Sequence, residues 1–233
     1  MKLLISRFID GISRVDEFEV ELENKTFLEI FSYIKANIDS SFTFNIGCKS
    51  GVCGCCAVRV NNKEVLACEY KPSDNDFVEP LKNLEVIKDL VCETKFDVLK
   101  CNSYLIEYNH TKPNESDEQK YDIQSDCILC FSCYSSCPVF ELNSFFLGPF
   151  ALSRVYRYTI DSREKDEKEH IDKIQQNGIW DCTLCGNCTM VCPQGLDPKS
   201  DINMLRTIGY KYNYFDTKFS SFNSLSFDFG FNY

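Results

Sequence analysis

Hydrophobic and polar positions alternate at two places near the start of the chain. Residues 2–9, with Leu3, Leu4 and Ile5, and residues 16–23, with Phe18, Val20 and Leu22, each predict a strand. Gly11 and its polar neighbours suit the turn between them. The period then changes. Thr26 and Glu29 have capping-box spacing, and Phe27, Leu28, Ile30, Phe31 and Ile34 mark one buried helical face. After a loop containing Gly47, Gly51 and Gly54, Ala57 to Val60 and Glu64 to Ala67 read as short strands about a polar Asn61-Asn62 turn. Hairpin, helix, loop and hairpin outline a β-grasp domain.

From about Asp97 the pattern is helical. Phe96, Val98, Leu99 and Leu105 predict one helix, followed by a polar connector from His110 to Gln124. Pro149 opens a second helix running through Tyr158. Glu164 to Gln176 reads as a charged surface helix stopped by Gly178, and Asp197-Pro198 caps and opens a last helix reaching about Ile208. The expected organisation is α+β, with a sheet domain over 1–95, a helical domain over 96–208 and a tail over 209–233. From Tyr210 to Tyr233 the tail holds ten aromatics with little helical regularity. It either wraps back over its own domain or offers a docking surface, since aromatics are favoured at interface cores.

Fifteen cysteines in 233 residues change this picture. Twelve fall into three sets of four. Cys48, Cys53, Cys56 and Cys68 follow the spacing C-x4-C-x2-C…C, which holds a [2Fe–2S] centre in plant-type ferredoxins. Cys127, Cys130, Cys133 and Cys137 with Pro138 follow the bacterial run C-x2-C-x2-C-x3-C-P, and Cys182, Cys185, Cys188 and Cys192 with Pro193 repeat it. Thiolate is the soft ligand such clusters need, and in paired bacterial runs the cysteine before proline ligates the other cluster. This assigns Cys127, Cys130, Cys133 and Cys192 to one [4Fe–4S] centre and Cys137, Cys182, Cys185 and Cys188 to a second. Zinc is the rival for any one C-x2-C pair, but a poor account of three complete sets. The chain reads as a plant-type ferredoxin domain followed by a bacterial-ferredoxin-like one, built to move electrons singly.

Composition narrows the reading further. A hydrophobic content of 44% suits a globular chain, but two small domains have little core each, so clusters would staple them and the iron-free chain should fold poorly. A secreted disulfide scaffold would not cluster its cysteines so locally, and Arg7 and Asp10 interrupt any leader-like run after Met1. Cytosolic synthesis and cluster loading are therefore expected. The apolar run from Phe145 to Leu152 is too short to cross a bilayer. A net charge of −10, which each oxidised cluster would deepen by roughly two, argues against nucleic acid and against adsorption to anionic lipid.

The remaining candidates carry less. Cys55 could compete with Cys56 for iron, but only Cys56 keeps the x2 spacing after Cys53. Cys92 and Cys101 stand outside the sets and read as packed thiols. His110 and His170 lie in charged stretches and read as solvated. Nucleophile, phosphate-loop and dinucleotide motifs are missing from the sequence, so no catalytic residue is assigned.

These residues resemble the iron–sulfur subunit of succinate dehydrogenase and fumarate reductase. The resemblance rests on Cys48 to Cys68 with Gly51-Val52-Cys53-Gly54, on Val86 to Val91, and on Cys127-Ile128-Leu129-Cys130. Gly148-Pro149 with Ala151-Leu152, Asp161-Ser162-Arg163 and Cys192 to Pro198 complete it, covering the chain to about residue 208. It implies a partner flavoprotein that holds FAD and interconverts succinate and fumarate, and a membrane quinone at the far end of a three-cluster relay. It also implies a peripheral place on the cytoplasmic membrane, on its cytoplasmic face or, by co-export, on the periplasmic one.

Two features depart from the usual members. Cys185 stands where most have an aliphatic residue and a [3Fe–4S] centre, so [4Fe–4S] is expected here, as in methylmenaquinol-type and thiol-linked fumarate reductases. Glu141-Leu142 and Thr183 replace the usual tryptophan and histidine of the quinone pocket, which favours a different, cysteine-rich membrane subunit. The rival readings are the iron–sulfur subunit of a heterodisulfide-reductase-like or glycolate-oxidase-like enzyme, which lack the plant-type loop, and a free multi-cluster carrier.

Overall fold

The computed structural model describes all residues except 22, 95–103, 108, 111, 114 and 217–233. Strand β1 (Lys2–Ile9) turns through Asp10-Gly11 into β2 (Ile12–Glu19), with Lys2 opposite Glu19 and Ile9 opposite Ile12. Asp-Gly is the residue pair that two-residue hairpins favour. Helix α1 (Phe27–Asn37) starts at the anticipated capping box: Thr26 N–H donates to Glu29 Oε2 at 2.9 Å, and Glu29 N–H returns to Thr26 Oγ1. Its predicted apolar face, Phe27, Leu28, Ile30, Phe31 and Ile34, is buried throughout. Each such side chain contributes about 1.5–3 kcal/mol of burial.

Strands β3 (Ala57–Val60) and β4 (Lys63–Leu66) flank the Asn61-Asn62 turn, as the pattern implied. A strand that the pattern did not reveal, β5 (Asp76–Glu79), runs parallel to β1 and antiparallel to β3. It closes a five-stranded sheet of order β2-β1-β5-β3-β4. The small hairpin of β6 (Val86–Lys88) and β7 (Val91–Cys92) carries Asp89 beneath β1. Arg7, on the same inward face as Leu3 and Ile5, is fully buried and contacts Asp89, Asp39, Asp16 and Ser41.

The second half is assembled from short helices: α2 (Glu115–Glu118), α3 (Asp122–Ser125), α4 (Ser132–Ser135) and α5 (Pro138–Leu142). They are followed by α6 (Pro149–Thr159), α7 (Glu167–Asp172), α8 (Asn187–Met190) and α9 (Pro198–Lys211). Leu152 and Val155 of α6, Ile171 and Ile174, and Ile202 and Leu205 of α9 form its core. The α6 and α9 starts agree with the proline signals. The charged stretch 164–176 gives only α7, and it is not a purely solvated face. His170 is buried with its Nε2 2.8 Å from Glu164 Oε2, because Glu164 turns inward to accept the N–H groups of Ile106 and Glu107. Of the helix expected over Phe96 to Leu105, residues 96–103 lie outside the described residues, and 104–107 are not helical. The tail's first residues fold back, with Tyr210 against Trp180 and the Tyr212 hydroxyl donating to Glu167 at 2.8 Å. The rest of the tail, 217–233, lies outside the described residues.

Three carboxylates give the fold its acid dependence. Hydrogen bonds from Ser41 and then Arg7 hold Asp39 at about 2. Burial pushes Asp161 and Glu164 upward. Bonds from Arg163 and Arg157 to Asp161, and from Asp166 N–H and His170 to Glu164, outweigh it and hold both at about 2. Folded values below the unfolded ones mean stability that is complete above pH 4.5 and is lost as pH falls toward 2. Melting temperature, measured anaerobically, should fall steeply below about pH 4 on this account. A flat profile down to pH 3 would contradict it.

Candidate metal centres

The first cysteine loop leaves α1 and wraps toward β3. Backbone N–H groups of Val52 and Cys53 point at Cys48 Sγ at 3.3 Å, that of Ser50 at 3.4 Å, and Gly51 N–H points at Cys68 Sγ at 3.3 Å. The amide of Ser50 leads the interactions that hold Cys48 down at about 6, so this thiol ionises near neutrality, as a metal ligand requires. Cys56 is buried beside Cys68, and burial pushes it up to about 12. Cys55, read from spacing as a bystander, is exposed with its Sγ 3.3 Å from that of Cys53. Cys92 is a packed thiol beneath Leu81 O, and Cys101 lies outside the described residues.

The two bacterial runs have matching backbones. Leu129 and Leu184 both take φ +55°, and Phe131 and Gly186 follow at +62° and +87°. Left-handed residues between the cysteines turn amides toward sulfur: Leu184 N–H meets Cys182 Sγ at 3.3 Å, and Leu129 N–H bonds Cys127. One-turn helices α4 and α8 then carry Cys133 and Cys188 inward. Nothing in the sequence announced non-glycine residues at these left-handed positions, which cost roughly 1–2 kcal/mol each.

Cys192 of the second run lies beside the first run, and Cys137 of the first lies near the second. One cavity is lined by Cys127, Cys130, Cys133 and Cys192, with Phe131, Phe150 and Leu196 as apolar walls. Cys137 faces Cys182 and Cys185, and Cys188 interacts with Cys182, Cys137 and Cys185. Burial dominates these thiols, pushing Cys127 up to about 11, Cys188 to about 12 and Cys133 well above its ordinary value. Among the described residues, no three His, Cys, Asp or Glu side chains converge as a single-ion site would require. The cavity ringed by four sulfurs, with an amide aimed at Cys127, fits the larger body of an iron–sulfur cluster.

Side chains that the motifs did not mark hold the two halves together. The Asn83 side-chain amide donates to the carbonyls of Tyr134, Ser135 and Cys137 at 3.0, 3.1 and 3.3 Å. Ser135 Oγ donates to Glu64 Oε1 at 2.7 Å and accepts from Lys82 N–H at 2.9 Å. Ile128, Cys130 and Phe131 rest on the first core.

A sheet domain and a helical domain that together present three four-cysteine sets define a two-domain iron–sulfur protein for electron transfer. Residues 2–98 match a 2Fe-2S iron-sulfur cluster binding domain and residues 123–196 a 4Fe-4S dicluster domain. The 8-methylmenaquinol:fumarate reductase iron-sulfur subunit of Wolinella succinogenes is 34% identical, over 91% of this chain and 73% of its own length. The fumarate reductase iron-sulfur subunit of Haemophilus influenzae is 32% identical, over 84% and 86%. A chain of the Mycobacterium smegmatis Sdh1 complex in the apo form has the same fold, with TM-score 0.82, 20% identity, and coverage of 93% and 98%. The protein belongs to the family of iron–sulfur subunits of fumarate reductase and succinate dehydrogenase. It is an electron-transfer component of a quinone-linked oxidoreductase, and no described helix is long and apolar enough to cross a membrane.

Proposed function

We propose that this chain relays single electrons between an FAD-containing subunit that interconverts succinate and fumarate and a quinone-reactive membrane subunit. The observation that carries the reading is three sets of four thiols in one chain of this family, the last two brought together in the helical domain. Cys48, Cys53, Cys56 and Cys68 hold the [2Fe–2S] centre in the domain ending near residue 95. Cys127, Cys130, Cys133 and Cys192 hold the first [4Fe–4S], and Cys137, Cys182, Cys185 and Cys188 the second. The two-electron change at flavin is thereby divided into single steps. The likeness to the methylmenaquinol-type subunit, together with Leu142 (90% exposed) and Thr183 where a quinone pocket would need other residues, favours a cysteine-rich membrane partner. The complex sits peripherally on the cytoplasmic membrane, on its cytoplasmic face or, by co-export, on the periplasmic one.

Anaerobic purification, iron and sulfide analysis and EPR test the cluster content. About ten irons per chain are expected, and flavoprotein should copurify. Nine irons with a strong oxidised-state [3Fe–4S] signal would remove Cys185 from the ligand set. Cys185→Ser should convert part of the third centre to a three-iron form, and a spectrum identical to the parent would do the same damage. A chain that runs alone without flavin points instead to a free carrier.

A further inference from the structure

The ligand loops of the two domains meet at Gly54. Its φ is +69°, and a Cβ built there would stand 2.6 Å from the Ile128 carbonyl oxygen and 2.9 and 3.0 Å from Cys130 Cβ and Cα. These atoms are backbone, or the first carbon of a ligand side chain, so they cannot swing aside. Gly51, three residues earlier, shares the backbone conformation at φ +73° but not the surroundings. The atoms nearest its Cβ would be the carboxyl end of Glu69, a side chain of its own domain that can move, while its carbonyl accepts from Gln194 Nε2 of the other domain at 3.2 Å. The two glycines of this loop therefore serve different ends. A side chain added at Gly51 would meet a movable side chain, whereas one added at Gly54 would meet backbone of the neighbouring domain.

Gly54 directly follows Cys53, and Cys130 belongs to the next set, so the contact joins one ligand segment to another with no side chain between them. Asn83 holds the domains in this register from the other side of the seam, through the three carbonyls it binds. Electron transfer slows steeply as the gap between centres widens, so a contact of this kind fixes a rate as well as a shape.

We propose that Gly54 is a positioning residue for electron transfer. Its missing side chain seats the [2Fe–2S] loop on Ile128–Cys130, and this contact, held by Asn83, sets the gap that an electron crosses between the first two centres. The inference rests on the ligand assignment above, but its test reads a different quantity.

The experiment compares Gly54→Ala with Gly11→Ala in the anaerobically purified complex, since Gly11 also has positive φ, +80°, and nothing lies within 4 Å of a Cβ added there. Both variants carry the backbone cost of an L-residue at positive φ. Only Gly54→Ala pushes the loops apart. Magnetic dipolar coupling between two reduced centres falls with the cube of their separation. With iron content and the [2Fe–2S] spectrum unchanged, the reduced [2Fe–2S] centre of Gly54→Ala should saturate at lower microwave power. It should also pass its electron on more slowly after rapid reduction, while Gly11→Ala matches the parent. Iron content and spectra report on the ligand assignment, and relaxation and transfer rate on the contact, so the two can fail separately. A fully loaded Gly54→Ala protein with parental relaxation and transfer rate overturns the proposal. Should Gly54→Ala lose its [2Fe–2S] centre, Asn83→Ala carries the test, because it loosens the seam without altering residues 48–56 or 127–133. Weakened coupling there supports the proposal, and parental coupling overturns it.

Discussion

Stripping iron from the protein should unfold the helical half and leave most of the sheet half standing. The first domain's core consists of Leu3, Ile5, Phe27, Ile30, Phe31, Val58 and Val78, on a sheet whose ladders owe nothing to metal. Losing a [2Fe–2S] centre frays one loop. The second domain is built differently. Helices α4, α5 and α8 are four or five residues long, too short to persist alone, and each begins beside or contains an assigned ligand. Leu129, Phe131 and Leu184 add about 1–2 kcal/mol of backbone cost each, which only the wrapped cluster offsets. Structural metal sites contribute on the order of 10 kcal/mol, more than the roughly 5 kcal/mol that a small domain has to spare. Hydrogen exchange read by mass spectrometry, on protein stripped anaerobically with a ferrous chelator, separates the halves. Peptides within 123–196 should lose protection while those covering β1, β2 and β5 keep theirs. Retained protection in α6 and α9 would show that the helical core stands without its clusters.

This division explains what could be read from the sequence. Where a signal is local, it was legible. The Thr26–Glu29 box, the Asn61-Asn62 turn and the Asp197-Pro198 cap each complete their physics within a few residues, and the structure follows them. What escaped is nonlocal or imposed by metal. Strand β5 is four residues with Asp76 turned inward, recognisable only beside β1. Left-handed Leu129 and Leu184 violate local preference because sulfur and amide must face one cavity. His170 reads as solvated by its neighbours and is buried because Glu164, six residues earlier, is recruited by backbone amides near 106. Gly54 signals a tight loop, but the atoms that forbid a side chain there lie more than seventy residues away.

Arg7 is the clearest nonlocal case, and Arg7→Ala should cost the first domain about 3–5 kcal/mol. Alternation along β1 places it on the core face, where it is 0% exposed. Its guanidinium meets Asp89 Oδ1 at 2.8 Å, Asp39 Oδ2 at 2.6 Å, Asp16 Oδ2 at 3.1 Å and Ser41 Oγ at 3.1 Å, and it lies over the Phe42 ring. Asp89 is equally buried, with the N–H groups of Phe8 and Thr43 as its other donors. Alanine at position 7 would leave that carboxylate buried with two amides and no countercharge. The expensive element is thus the orphaned Asp89 rather than the lost pair. Arg7→Met/Asp89→Asn, which removes both charges and keeps an acceptor for the amides, should recover much of the loss. Asp39, freed of Arg7, should titrate closer to its unfolded value, so the variant's acid transition flattens between pH 4 and 2. Opening free energies from amide exchange in β1 and β5 give the comparison, with the double variant closing the cycle. A single Arg7→Ala variant within 1 kcal/mol of the parent, or a double variant no better than the single, would refute the argument. The consequence reaches the relay, because Leu90, next to Asp89, lines the same cavity as Ile128, Cys130 and Phe131. A loosened Arg7 cluster should therefore also weaken the coupling between the first two centres.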